Sequence, residues 1–233
     1  MNDYESTYQG APVSALSTSS RATFISRTYA HLCGAIFAFA LLEVLFFQSG
    51  LAPRMAEAML GTSWLLVLGG FILVSWMASR VAHRSVSKPA QYAALGGFVV
   101  AEAIIFVPLL YIANNMTKGG VIESAAIITF IGFAALTAIV FVTRKDFSFM
   151  RGILMWGGVL ALGAIIGAVV FNFNLGAWFS MAMIGLAGGA ILYDTSNVLH
   201  HYPEDRYVGA ALELFASVAL LFWYVLRLFM SRD

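Results

Sequence analysis

Seven stretches of continuous apolar sequence, at roughly 25–48, 62–80, 90–112, 121–143, 152–171, 177–198 and 207–229, run through this chain with only short polar breaks between them. Crossing the roughly 30 Å hydrocarbon core of a bilayer takes about 20 mostly apolar residues in a helix. Such a helix also satisfies its backbone hydrogen bonds internally, which lipid demands. The breaks carry turn or charge signals, among them Pro53, Pro89, Gly120, Asn172 and Pro203. Loops so short make successive helices antiparallel. The chain therefore reads as an all-α integral membrane protein, with a single seven-helix transmembrane domain over residues 23–233. Composition agrees, with hydrophobic residues at 61% and charged residues at 11%, where soluble domains run near 45–50% and about 25%. A β-barrel would instead alternate in segments of about ten residues.

The same numbers exclude several classes of function. A net charge of +1 leaves no polybasic surface for nucleic acid. The single cysteine, Cys33, has no intrachain partner, and no Cys/His spacing suits a zinc site. No candidate nucleophile, phosphate-binding glycine loop or HExxH motif is present, so neither enzyme chemistry nor a cofactor is expected. Residues 1–22 are polar and rich in Ser and Thr, and read as a disordered cytoplasmic tail. With the N-terminus cytoplasmic, nine lysines and arginines fall on that side against four opposite. The excess of basic residues inside predicts a cytoplasmic N-terminus and a periplasmic C-terminus. Glycines cluster in the fifth and sixth runs, from Gly157 to Gly189, which predicts close packing there and a central place for both helices.

Charges inside the runs carry the functional signal. Arg27, Arg80, Glu123 and Arg227 lie near helix ends and can snorkel. Glu43, Glu102, Asp194 and Glu213 lie deeper. A lone charge in hydrocarbon costs about 2.5 kcal/mol or more, so such acids face a bundle interior, a water-filled cavity or a partner. Asp194 falls roughly 7 Å inside the end of the sixth run and Glu213 roughly 9 Å into the seventh, at 1.5 Å per residue. The two thus share a layer, with Gly209 and Ser217 on the face of Glu213. His31 and Arg27 occupy the same layer as candidate counter-charges. Two carboxylates at close range would share a proton or a cation, transient calcium included. The alternative is that each is separately satisfied and only holds the bundle together. Glu102 comes out near the midplane and Glu43 near the outer boundary.

The run GGAILYDTSNVLHHYPEDRYVGAALELFASVALLFWYVLRLF resembles the last two helices of the Bax inhibitor-1 family, and TRKDFSFMRGILMWG resembles that family's preceding loop and fifth span. Pro108 at the end of span three is a further correspondence. Within the family the Asp-Thr-Ser-Asn segment, the Arg-Lys-Asp loop and the terminal Ser-Arg-Asp are most similar to the bacterial YccA-like branch, associated with the membrane-bound FtsH protease. The resemblance implies a seven-helix fold in a bacterial inner membrane and a regulatory partner of the FtsH type. It also implies, for pore-like members, a pH-sensitive calcium leak through an aspartate pair in spans six and seven, latched by an arginine from span two. Asp194 matches the first aspartate. The second position falls on Ser217 and the latch on Ala78, so two of the three groups are replaced. Glu213, one turn before Ser217, is expected to restore a carboxylate, and Arg27 or His31 to stand in for the latch. Two functions follow as expectations: a regulator of the FtsH protease, and a cation leak centred on Asp194 and Glu213.

Overall fold

The computed structural model describes residues 12–85, 87–116 and 119–231. Among the described residues eight α-helices follow one another: α1 Thr18–Gln48, α2 Leu51–Leu60, α3 Trp64–Arg84, α4 Lys88–Met116, α5 Val121–Thr143, α6 Met150–Val170, α7 Gly176–His200 and α8 Tyr207–Met230. All but α2 are long and apolar enough to cross a membrane. These seven correspond to the seven runs, so the chain is an all-α, multi-pass membrane protein.

Burial sets the order of the bundle. Helix α8 packs against α1, α3, α4, α5 and α7, and 67% of its apolar stretch is buried, against 56% for α4 and 6% for α6. The expected central place of the fifth and sixth spans is thus corrected: α8 and α4 form the core, and α6 is peripheral. The physical reason lies in what the glycines meet. A Cβ at Gly157 would strike Leu186 of α7 and one at Gly189 would strike Met150 of α6, but Gly158, Gly163 and Gly185 face open space. The glycines bring α6 and α7 together at the edge without burying either pair member on all sides.

Two further expectations change. The break after Gly50 is itself a helix, α2. Its Pro53 sits in the first turn, where a missing N–H costs no helical hydrogen bond, and Ala52 and Ala56, one turn apart, are buried with Val107 of α4. Helix α4 likewise continues past Pro108, which lies in its interior.

The expected tail is partly a strap. Its residues 1–11 lie outside the described residues, but residues 12–22 are ordered. Pro12 bridges to Pro203, Val13 N–H donates to Tyr202 O at 2.9 Å, and the Ser14 hydroxyl donates to His200 O at 2.8 Å. Val13 is fully buried. Ser17 then caps α1 by accepting from Ser20 N–H, and Arg21 donates to Leu199 O at 2.9 Å. Polar composition suggested disorder because the one buried apolar residue and the backbone pairing have no periodic signature.

Candidate functional site: a buried acid layer beneath a cavity

Asp194 on α7 is buried, and the Ser217 hydroxyl of α8 donates to its Oδ2 at 2.5 Å. The residue at the position where the resemblance places a second aspartate thus serves as the hydrogen-bond donor to the first. Glu213, one turn earlier on α8, turns towards α3. Its Oε1 accepts from the Ser79 hydroxyl at 2.6 Å and lies 3.6 Å from His83 Nδ1. His83 Nδ1 is also 2.8 Å from Ser79 O, and its Nε2 is 3.2 Å from the Tyr202 hydroxyl. Both ring nitrogens of His83 thus have an oxygen partner. Two polar groups therefore stand one turn apart on α8: Ser217 with Asp194, and Glu213 with Ser79 and His83, the last reaching Tyr202 at the end of the bundle.

The structure brings Asp194, Ser217 and Glu213 into one layer, but the expected counter-charges are elsewhere. The Arg27 guanidinium lies over the Tyr207 ring, 5.5 Å from its centroid. His31 Nε2 is 3.2 Å from the Tyr92 hydroxyl. Neither is ion-paired among the described residues, so neither acts as the substitute latch. Ser79 and His83, one and five residues after Ala78 at the latch position, are the residues of α3 that contact Glu213. Ser79 lies inside the expected second span with nothing to mark its partner, and the expected end of that span at residue 80 puts His83 in a loop. The signal was present: Ser75, Ser79 and His83 recur at every fourth residue, one polar stripe on an apolar helix.

A cavity of about 650 Å³ lies above this layer. Trp64, Leu175, Arg227 and Met230 stand at its outer end, and Ser75 and Ser217 are among the residues at its inner end. Ten residues separate Arg227 from Ser217, so the cavity extends about 15 Å along α8. Its wall is mostly apolar, with Glu102 of α4 as its carboxylate. Glu102 thus faces the cavity that ends at the Asp194 layer. Glu43 stands apart, buried near the end of α1, and neither carboxylate oxygen has a hydrogen-bond partner among the described residues. No group of three or more His, Cys, Asp or Glu side chains among the described residues is placed to hold a metal ion.

At the end of the bundle that carries the strap, the loop between α5 and α6 is clasped to the end of α7. His201 Nε2 is 2.9 Å from Asp146 Oδ2, and the Ser196 hydroxyl accepts from Phe147 N–H at 2.9 Å. The Ser148 N–H first, and His201 with it, hold the Asp146 carboxyl below the ordinary carboxylate range. A depressed carboxylate stabilises the fold above its unfolded value of about 3.9 and loses that contribution as pH falls through the folded value. Asp146→Asn is expected to lower the melting midpoint at pH 7 by about one to three degrees, the scale of an exposed pair. The difference should close below about pH 4, and a difference independent of pH would show that the clasp does not rest on the carboxylate.

A sequence model of the family described as inhibitor of apoptosis-promoting Bax1 matches residues 21–233. The chain is 31% identical over 156 residues to "Modulator of FtsH protease YccA" of Escherichia coli (strain K12), an alignment covering 66% of this chain and 71% of the relative. It is 28% identical over 222 residues to "Bax inhibitor 1" of Schizosaccharomyces pombe, covering 93% and 79%. To "Protein LIFEGUARD 4" of Arabidopsis thaliana it is 32% identical over 152 residues, covering 62% and 59%.

Proposed function

Because this chain belongs to the family of inhibitors of apoptosis-promoting Bax1, we propose that it is a multi-pass inner-membrane regulator that binds and modulates an FtsH-type membrane protease. The observation that carries this reading is its similarity to a relative named as a modulator of that protease, over 71% of the relative's length. The strap adds a route for the interaction. Proteases that pull on substrates engage exposed chain ends, and residues 1–11 precede a segment held to the α7–α8 corner by Val13 and Ser14. In the orientation favoured by the basic residues, that corner and the Asp146 clasp face the cytoplasm.

Purified chain added to reconstituted FtsH should slow degradation of a second membrane substrate. Removing residues 2–11, which leaves the strap intact, is expected to abolish the slowing without shifting the melting midpoint. No slowing by the full chain overturns the modulator reading. Equal slowing by the shortened chain overturns the part assigned to the extension.

A second reading is favoured by a separate observation: the 650 Å³ cavity ends at Ser217, which is bonded to Asp194. A cation or proton entering it would reach a carboxylate layer about 9 Å from the opposite end of α7 and α8. The chain can thus provide a leak path as well as a regulatory surface.

A further inference from the structure

A second cavity, of about 590 Å³, lies between α1 and α4 on the outer surface of the bundle and touches none of the acids of the central layer. It is an apolar trough. Gly34 and Ala38 of α1 and Gly96 and Val100 of α4 are exposed along it, and a Cβ built at Gly34 or Gly96 would meet nothing within 4 Å. From His31 to Leu42 it runs eleven residues of helix, about 16 Å, close to the roughly 15 Å of one leaflet of a 30 Å hydrocarbon core. Tyr92 in the first turns of α4 and Tyr207 at the start of α8 stand beside His31, which makes that end of the trough the one nearer the membrane surface, and the trough runs inwards from there.

The surface end is polar and cationic. His31 and Tyr92 line it, joined at 3.2 Å, and the Tyr92 hydroxyl is 3.2 Å from that of Tyr207. The Tyr207 ring carries two cations: Arg27 at 5.5 Å and Lys88 at 4.2 Å from its centroid. Lys88 also donates to Gln91 Oε1 and to the backbone oxygen of Asp205. The nearby Asp205 carboxylate is taken by Arg206 at 3.4 Å. Among the described residues neither Arg27 nor Lys88 forms an ion pair with a carboxylate. Two positive charges without counter-ions thus stand at the mouth of a trough as deep as one leaflet.

We propose that the α1–α4 trough binds an anionic phospholipid, its acyl chain lying over Gly34 and Gly96 and its phosphate meeting Arg27 and Lys88. Basic clusters between membrane helices at the surface suit anionic headgroups by charge. The small residues admit a chain where larger ones would fill the space. In the proposed orientation the lipid belongs to the cytoplasmic leaflet.

Native mass spectrometry of the purified chain, titrated with phosphatidylglycerol or phosphatidylcholine, reads the retained lipid directly. The wild type should retain one phosphatidylglycerol in preference to phosphatidylcholine. Arg27→Gln should weaken phosphatidylglycerol about fivefold, the scale of one lost cation near a membrane surface, and phosphatidylcholine less, since its choline already offsets the phosphate charge. Gly34→Leu with Gly96→Leu, which project into open space and leave the bundle folded, should reduce retention of both lipids. Equal retention of the two lipids by the wild type overturns the proposal. So does unchanged phosphatidylglycerol retention in either variant.

Discussion

Gly209→Val is expected to lower the melting midpoint of the detergent-solubilised protein by on the order of 5–10 °C, with loss of the single folded species on heating. At Gly209 the central helix comes close to the backbone of a neighbouring helix. A Cβ there would lie 3.1 Å from the carbonyl oxygen of Ala82 and 3.4 Å from its carbon. Ala82 is fully buried on α3, so the atoms in the way belong to a helix and cannot swing aside as a side chain can. Small residues permit such approaches in membranes, where packing replaces the hydrophobic drive between helices. Overpacking costs about 1–3 kcal/mol and occasionally more, and about 2–4 °C accompanies each kcal/mol in a protein of this size. Valine would also push α8 away from α3 one turn from the Ser79–Glu213 hydrogen bond. Gly185→Ala is the control, since its Cβ meets nothing within 4 Å and alanine favours a helix interior. Its midpoint should stay or rise. Equal losses from the two variants would show that the α3–α8 approach carries no special weight.

That pair of glycines shows what was legible in the sequence and what was not. Length and apolarity located all seven membrane helices, because the bilayer imposes both on any spanning segment. Rank within the bundle was another matter. The dense glycines of α6 and α7 suggested a central place, yet where a Cβ there would meet a neighbouring helix it meets side chains, whereas at Gly209, one glycine in an ordinary apolar run, it would meet the Ala82 backbone. Local composition records that a helix can be approached. It does not record by what.

The acid layer divides in the same way. Depth along the helices was enough to place Asp194, Ser217 and Glu213 together, since it follows from counting residues. Partners were not, because they depend on the rotation of a third helix. His83 came within reach of Glu213 because α3 continues to Arg84, four residues past the expected end of the span, and Ser79, inside the span, because of the way α3 is rotated. Arg27 and His31, at matching depth, turned instead to Tyr207 and Tyr92. Depth selects a layer, and only the packing angle selects the contact within it.

In sealed vesicles carrying the purified chain, Asp194→Asn combined with Glu213→Gln is expected to reduce calcium or proton leak by at least about tenfold. A cation entering the cavity passes an apolar wall and reaches Ser217 at its inner end. Beyond that point the charge leaves most of its hydration behind, a cost of about 2.5 kcal/mol or more unless an opposite charge stands close. On the leak reading, the Asp194 carboxyl, bonded to Ser217 at 2.5 Å, supplies that charge when ionised, and Glu213, one turn from Ser217 on α8, is the next. The amides keep the geometry, since the side-chain carbonyls of Asn and Gln can still accept from Ser217 and Ser79, so a change in flux reports charge rather than collapse. Glu43→Gln supplies the position control. Glu43 is buried as deeply but does not line the cavity, and its loss should leave flux unchanged. If the double variant leaks as the wild type does, the Asp194 layer is a brace between α3, α7 and α8, and the regulatory reading stands without a pore.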